Sequence, residues 1–246
     1  MLTQRLVVFL DDGGVLSDNS ARAPQWHRLC GEYFSPRFGG LPEEWSEANR
    51  IAIGGMFAPA AWRARLEAAI DYEDYERTYY LDWLGAMFRA MGIPELGEED
   101  TLRVSREATA WIIPCVRAAF PGAAETVRLL YNRRYTLNTA SGESSTDLDG
   151  YLTGMGVRDC FSRLYGPDVV NKLKSGPEYY ERMLDDAGVA PADALVVDDN
   201  AEVLSWVVQL GARAMLIDPT GSVQVSPEVQ TVRTISDLPG IIEQWE

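Results

Sequence analysis

The chain has 246 residues, about 1.6 times a typical domain of roughly 150 residues, so one large domain or two unequal ones are expected. Its formal charge is −15 and its pI is near 4.5, which argues against a nucleic-acid or anionic-membrane partner, because both need a basic face. An apolar content of 46% and a charged content of 24% exclude wholesale disorder. No stretch approaches the ~18 apolar residues of a membrane helix. The run Leu6 to Leu10 is too short for a signal-peptide core and runs straight into Asp11 and Asp12. Cys30, Cys115 and Cys160 are odd in number and lack a C-x-x-C spacing. They fit a reducing cytoplasm and neither a disulfide framework nor a zinc site. The single histidine, His27, rules out motifs that need a His pair.

In chain order, Arg5 to Leu10 reads as a buried strand that stops at the turn Asp11-Asp12-Gly13-Gly14. The next hundred residues read as helical. Ala60–Ile70 and Tyr72–Met91 are the best helices; in the second, Tyr72, Tyr75, Tyr79, Trp83 and Met87 recur at spacings of three and four. Gly39-Gly40, Pro42 and Gly92-Ile93-Pro94 punctuate this bundle. After Pro121-Gly122 helix and strand alternate. Helices are predicted over 123–133, 146–155, 177–187 and 201–210, with a last one from Leu238. Strands are predicted over 135–140, 161–164, 194–197 and 212–217, with another near Val232. Repeated β-α-β units imply an α/β fold with a doubly wound parallel sheet. The simplest organisation is a discontinuous α/β core, residues 1–16 and 119–246, interrupted by an all-helical insertion, residues 17–118. In such sheets ligands bind beyond the carboxyl ends of the strands.

Four polar clusters sit at those ends. Asp11-Asp12-Gly13-Gly14 joins two carboxylates to a glycine turn. Thr139-Ala140-Ser141-Gly142 offers a hydroxyl and a glycine amide. Lys172-Leu173-Lys174-Ser175-Gly176-Pro177 precedes a helix, and its two lysines are the only ones in a chain that otherwise uses arginine. A compact ammonium is wanted there. Asp198-Asp199-Asn200 closes a buried strand, where adjacent acids are costly unless a cation or hydrogen bonds compensate them.

Taken in order, these clusters resemble the four signature motifs of the haloacid dehalogenase-like (HAD) hydrolase superfamily, and the helical insertion lies where that superfamily places its cap. The resemblance implies a Rossmann-like HAD core and a Mg2+-dependent hydrolase of small phosphorylated metabolites. Asp11 would be the nucleophile, forming an aspartyl-phosphate. Ser141 and Gly142 would bind the phosphoryl group, and Lys174, rather than Lys172, would neutralise its charge. Asp11, the Gly13 backbone carbonyl, Asp198 and Asp199 would hold Mg2+, all through oxygen as a hard cation prefers. One position departs from the pattern. The superfamily's usual general acid/base, two residues after the nucleophile, is Gly13 here. A main-chain oxygen can still bind metal, but proton transfer to the leaving group loses its usual agent. The expectation is a slow or leaving-group-selective phosphatase that favours aryl or acyl phosphates.

Three other functions compete. A metal-independent haloacid dehalogenase also uses an Asp nucleophile and needs no acid at position 13, but leaves Asp198-Asp199 without a purpose. A phosphotransferase or mutase needs the missing acid/base more. A non-catalytic ligand-binding protein would be indifferent to Asp11→Asn. Asn19, Arg22, Trp26 and His27 follow the first motif closely enough to reach the site mouth, and Arg63 and Arg65 could meet an anion. Each has a plainer structural reading, so none is assigned to the site. Trp26 and the Tyr72–Met87 stripe read as core packing. Arg63 is expected to pair with Glu67 one turn on, and Arg65 to be solvated.

Overall fold

The computed structural model describes residues 5–245. They form two compact units, one of the described residues up to Asn19 together with those from Ala118 onward, the other Ser20–Arg117.

The first unit is built on six parallel strands: β1 (Val7–Leu10), β2 (Thr136–Thr139), β3 (Phe161–Arg163), β4 (Ala194–Asp198), β5 (Arg213–Ile217) and β6 (Val229–Val232), in the order β3-β2-β1-β4-β5-β6. Every neighbouring pair is parallel. This is the expected doubly wound α/β fold of Rossmann-like order. The central strands are buried on both faces, and the period of two deals their side chains alternately to two apolar layers. Val8, Leu10, Leu195 and Val197 enter one core. Phe9, Val196, Ala214 and Leu216 enter the other.

Five of the helices among the described residues belong to the second unit: α1 (Asn19–Phe38, its first residue lying in the first unit), α2 (Pro42–Met56), α3 (Pro59–Ala68), α4 (Tyr72–Met91) and α5 (Glu98–Ile112). The first unit adds α6 (Ala123–Asn132), α7 (Ser145–Met155), α8 (Pro167–Val170), α9 (Pro177–Ala187), α10 (Ala201–Gln209) and α11 (Leu238–Ile242). Their ends follow local chemistry. Asp71 caps α4 by accepting the Asp74 amide at 2.9 Å, and left-handed Gly92 ends it. Ser144 caps α7 and Asn200 caps α10. Pro177 opens α9 at its first turn. Two details have no counterpart in the sequence reading. Helix α1 carries Pro24 and Pro36 internally, although proline usually breaks a helix. The short α8 falls in a stretch for which no element was predicted.

The helical unit corrects two expectations. Arg65 is not solvated: its side chain is 10% exposed and pairs with Asp82 at 2.8 Å, an acid from the next long helix that local spacing does not find. Arg63 and Glu67 form no ion pair among the described residues. The aromatic stripe of α4 runs into the core at its C-terminal half, where Trp83 and Met87 are buried while Tyr72, Tyr75 and Tyr79 are half-buried. Trp26 packs edge-on against Trp83. His27 is structural. Its Nδ1 lies 2.8 Å from Asn49 Nδ2, and the Trp83 indole donates to Asn49 Oδ1 at 2.8 Å. Burial, followed by the nearby Arg50, lowers the His27 pKa.

Candidate active site

Strand register assembles the site. Leu10 pairs with Thr139 on one side and Val197 on the other. The ladder continues one step further, with the Ala140 amide donating to Leu10 O at 2.9 Å and the Asp11 amide to Val197 O at 3.0 Å. Asp11, Ala140 and Asp198 therefore stand side by side at the carboxyl ends of three adjacent strands, where open α/β sheets bind ligands.

Lys174 reaches into this row from the loop before α9. Its ammonium donates to Asp198 Oδ2 at 2.7 Å and to Ala140 O at 2.9 Å, and it lies 3.0 Å from Asp11 Oδ2. The other lysine, Lys172, pairs with Glu178 at 2.5 Å. The two lysines, two residues apart, thus meet different partners. Burial by itself depresses the Lys174 pKa, but the Asp11 and Asp198 carboxylates more than offset this and hold the ammonium protonated.

The carboxylates are held too. Asp11 Oδ1 accepts the Asp12 amide at 2.8 Å. Asp198 Oδ1 accepts the Asn200 amide at 2.9 Å. Asp198 is only 1% exposed, and burial pushes its carboxyl pKa upward against the pull of Lys174. Asp199 is exposed on its outer side and is also shifted up, first by desolvation and then by Asp11. One oxygen from each of Asp11, Asp198 and Asp199 lies within 4.8 Å of the others. With all groups ionised, three negative charges meet one positive charge, leaving a deficit that one divalent cation would cancel.

The donor set suits a hard cation, since it consists of oxygen atoms. The turn also leaves the Gly13 carbonyl out of its backbone bonds: the Gly14 amide donates to Ser17 O and the Ser17 amide to Asp12 O, both at 2.8 Å. Gly14 must be glycine. Its φ is 81°, and a Cβ there would fall 1.9 Å from Asp199 Oδ2.

Ser141 follows Ala140 and is 2% exposed. Its amide donates to Tyr165 O at 3.1 Å, and its Oγ accepts the Glu143 amide at 3.3 Å. Tyr179 from α9 donates to Ser141 O at 2.9 Å, tying the serine loop to the helix that follows Lys174. Nothing in the sequence singles out Tyr179, because its partner is a backbone carbonyl. Gly142 is exposed, with open space where a side chain would be. Asp12 is wholly buried and accepts the Ser17 hydroxyl at 2.9 Å.

A family model for haloacid dehalogenase-like hydrolases matches residues 7–204. The chain belongs to this family. HAD proteins of known structure share its fold. The Bacillus subtilis HAD-family protein YfnB, solved with magnesium bound, is 14% identical with a TM-score of 0.66, covering 98% of this chain and 99% of that one. The L-2-haloacid dehalogenase of Xanthobacter autotrophicus with chloropropionic acid covalently bound is 15% identical with a TM-score of 0.59, covering 98% and 100%. A HAD phosphatase from Thermococcus onnurineus is 18% identical with a TM-score of 0.60, covering 96% and 97%. No curated protein matches this HAD chain. No helix among its described residues is long and apolar enough to cross a membrane.

Proposed function

We propose that this HAD-like hydrolase is a Mg2+-dependent phosphatase of small phosphorylated metabolites. The observation that carries the reading is the charge deficit at the strand ends: Asp11, Asp198 and Asp199 around one point, with Lys174 the one cation paired with them among the described residues. A reaction at carbon that needs no metal gives no reason to gather three carboxylates there. The three free cysteines agree with a cytoplasmic setting.

In this reading, the Asp11, Asp198 and Asp199 carboxylates and the Gly13 carbonyl hold Mg2+, which neutralises charge on the phosphoryl oxygens when bound. Asp11 attacks phosphorus. The amide on its Oδ1 and the ammonium near its Oδ2 fix its carboxylate plane, so positioning does much of the work. Lys174 offsets the charge of the transferring group. Ser141 Oγ and the Gly142 amide bind its outer oxygens.

The similarity to L-2-haloacid dehalogenases supports a second reading, with Asp11 attacking a halogen-bearing carbon. One experiment separates the two. The enzyme is assayed for phosphate release from p-nitrophenyl phosphate and for chloride release from 2-chloropropionate, each with Mg2+ or EDTA. The phosphatase reading expects phosphate release that EDTA abolishes and no chloride. Chloride release that survives EDTA would replace it with the dehalogenase reading.

A further inference from the structure

The turn after Asp11 runs between two polar side chains. On one side Gly14 presses against the Asp199 carboxylate. On the other, a Cβ built on Gly13 would fall 2.9 Å from Nδ2 and 3.0 Å from Oδ1 of Asn19. Gly13 does not have the positive φ that would disfavour a side chain. The space beside it, two residues from Asp11, is instead filled by the Asn19 carboxamide. Asn19 is exposed, and its side chain makes no hydrogen bond among the described residues. The acid nearest in sequence, Asp12, is turned inward onto Ser17. The polar group at this edge of the turn is thus a free hydrogen-bond donor with no proton to transfer.

Resting on the phosphatase reading, we propose that Asn19 sets the leaving-group range of the site. Its amide N–H donates a hydrogen bond to the oxygen departing from phosphorus, so the substrates are phosphates whose leaving oxygen departs as a stable anion. The steps balance without an added acid. Asp11 Oδ forms a bond to phosphorus as the P–O bond to the leaving group breaks, and that group departs as a carboxylate or phenolate. Water then bonds to phosphorus, the Asp11–phosphorus bond breaks leaving the Asp11 carboxylate, and both water protons remain on the product, dihydrogen phosphate. Asn19 stabilises charge that develops on the leaving oxygen in the first step, an interaction stronger in the transition state than in the bound ester.

The test is a series of substituted phenyl phosphates of increasing leaving-group basicity, ending in an alkyl phosphate. It is run with Mg2+ on the wild type, Asn19→Ala and Asn19→Ser. Asn19→Ala is expected to lower kcat about tenfold on p-nitrophenyl phosphate, the worth of one hydrogen bond to developing charge, with KM little changed. Its losses should grow along the series, giving a steeper dependence on basicity, and Asn19→Ser, which keeps a short donor, should recover part of them. A merely structural role would lower all rates alike and leave the slope unchanged. If the wild type releases phosphate and Asn19→Ala matches its slope, the Asn19 assignment falls and the phosphatase reading stands. If the wild type releases phosphate from no ester, both fall.

Discussion

The crowding of like charge at the sheet end predicts that one binding-site substitution stabilises the metal-free protein. Asp199→Asn keeps the side-chain volume and removes one of three clustered charges. Two unit charges 4.8 Å apart, the distance within which the cluster's oxygens all lie, repel by about 1 kcal/mol in water and about 3.5 kcal/mol at an effective dielectric of 20. Asp199 is exposed on its outer side, so the water-like end applies to its repulsion by Asp11 and Asp198, about 2 kcal/mol together. Lost attraction to Lys174 offsets about half, leaving a gain of about 1 kcal/mol, or about 2–4 °C in Tm for a chain of this size. Saturating Mg2+ should reverse the order. A cation at a hundred times its Kd adds about 2.7 kcal/mol to the wild type, and the variant, lacking one carboxylate, should gain less. Calorimetric melts in EDTA and in excess Mg2+ check both halves. A variant that melts below the wild type in EDTA, or that gains as much from Mg2+, would refute the reasoning.

Three other outcomes follow from the site and its supports. Gly13→Asp should raise alkyl-phosphate turnover by about a hundredfold, the usual worth of a placed acid. The backbone accepts a side chain and only the flexible Asn19 amide must yield; unchanged alkyl-phosphate rates would count against this. Gly14→Ala should cost about 1–3 kcal/mol through strain at φ 81° and, by displacing Asp199, abolish the Mg2+-dependent rise in Tm; an unchanged Mg2+ response would show that Asp199 is not a ligand. Asp218 accepts the Thr220 amide and hydroxyl and the Val223 amide, and these bonds, led by the Thr220 hydroxyl, hold its pKa down to about 2. A folded-state value below the unfolded one, about 3.9, contributes stability above pH 4 that fades as pH falls toward 2. The stability gap between wild type and Asp218→Asn, read by urea unfolding, should be flat from pH 7 to 5 and shrink below 4; a gap that grows on acidification would contradict the assignment.

The sheet was legible because buried parallel strands read as short apolar runs and their ends are marked by Asp, Ser and Gly. Val7–Leu10 and Ala194–Asp198 announce themselves in this way, and the structure moves their limits by at most two residues. Helix α4 was legible to the residue because Asp71 caps its start and Gly92 its end. Distances across the chain were not legible. Arg65 finds Asp82 seventeen positions away, and Tyr179 finds a carbonyl on another loop. Lys172 and Lys174 are indistinguishable in composition, and only the loop's path puts one against Asp11 and the other against Glu178. Asn19 stood in sequence beside Arg22, Trp26 and His27 with nothing to set it apart. Closeness along the chain gives no direction; the missing Cβ of Gly13 supplies it.

The central claim is that Asp11 attacks phosphorus and is freed by water attacking phosphorus. A turnover in 18O-labelled water, with mass analysis of both the released phosphate and the peptide containing Asp11, tests it directly. The account predicts label in the phosphate and none in the Asp11 carboxyl. Label in the Asp11 carboxyl would mean that water attacked an ester carbonyl carbon, as for chemistry at a halogen-bearing carbon, and would contradict it.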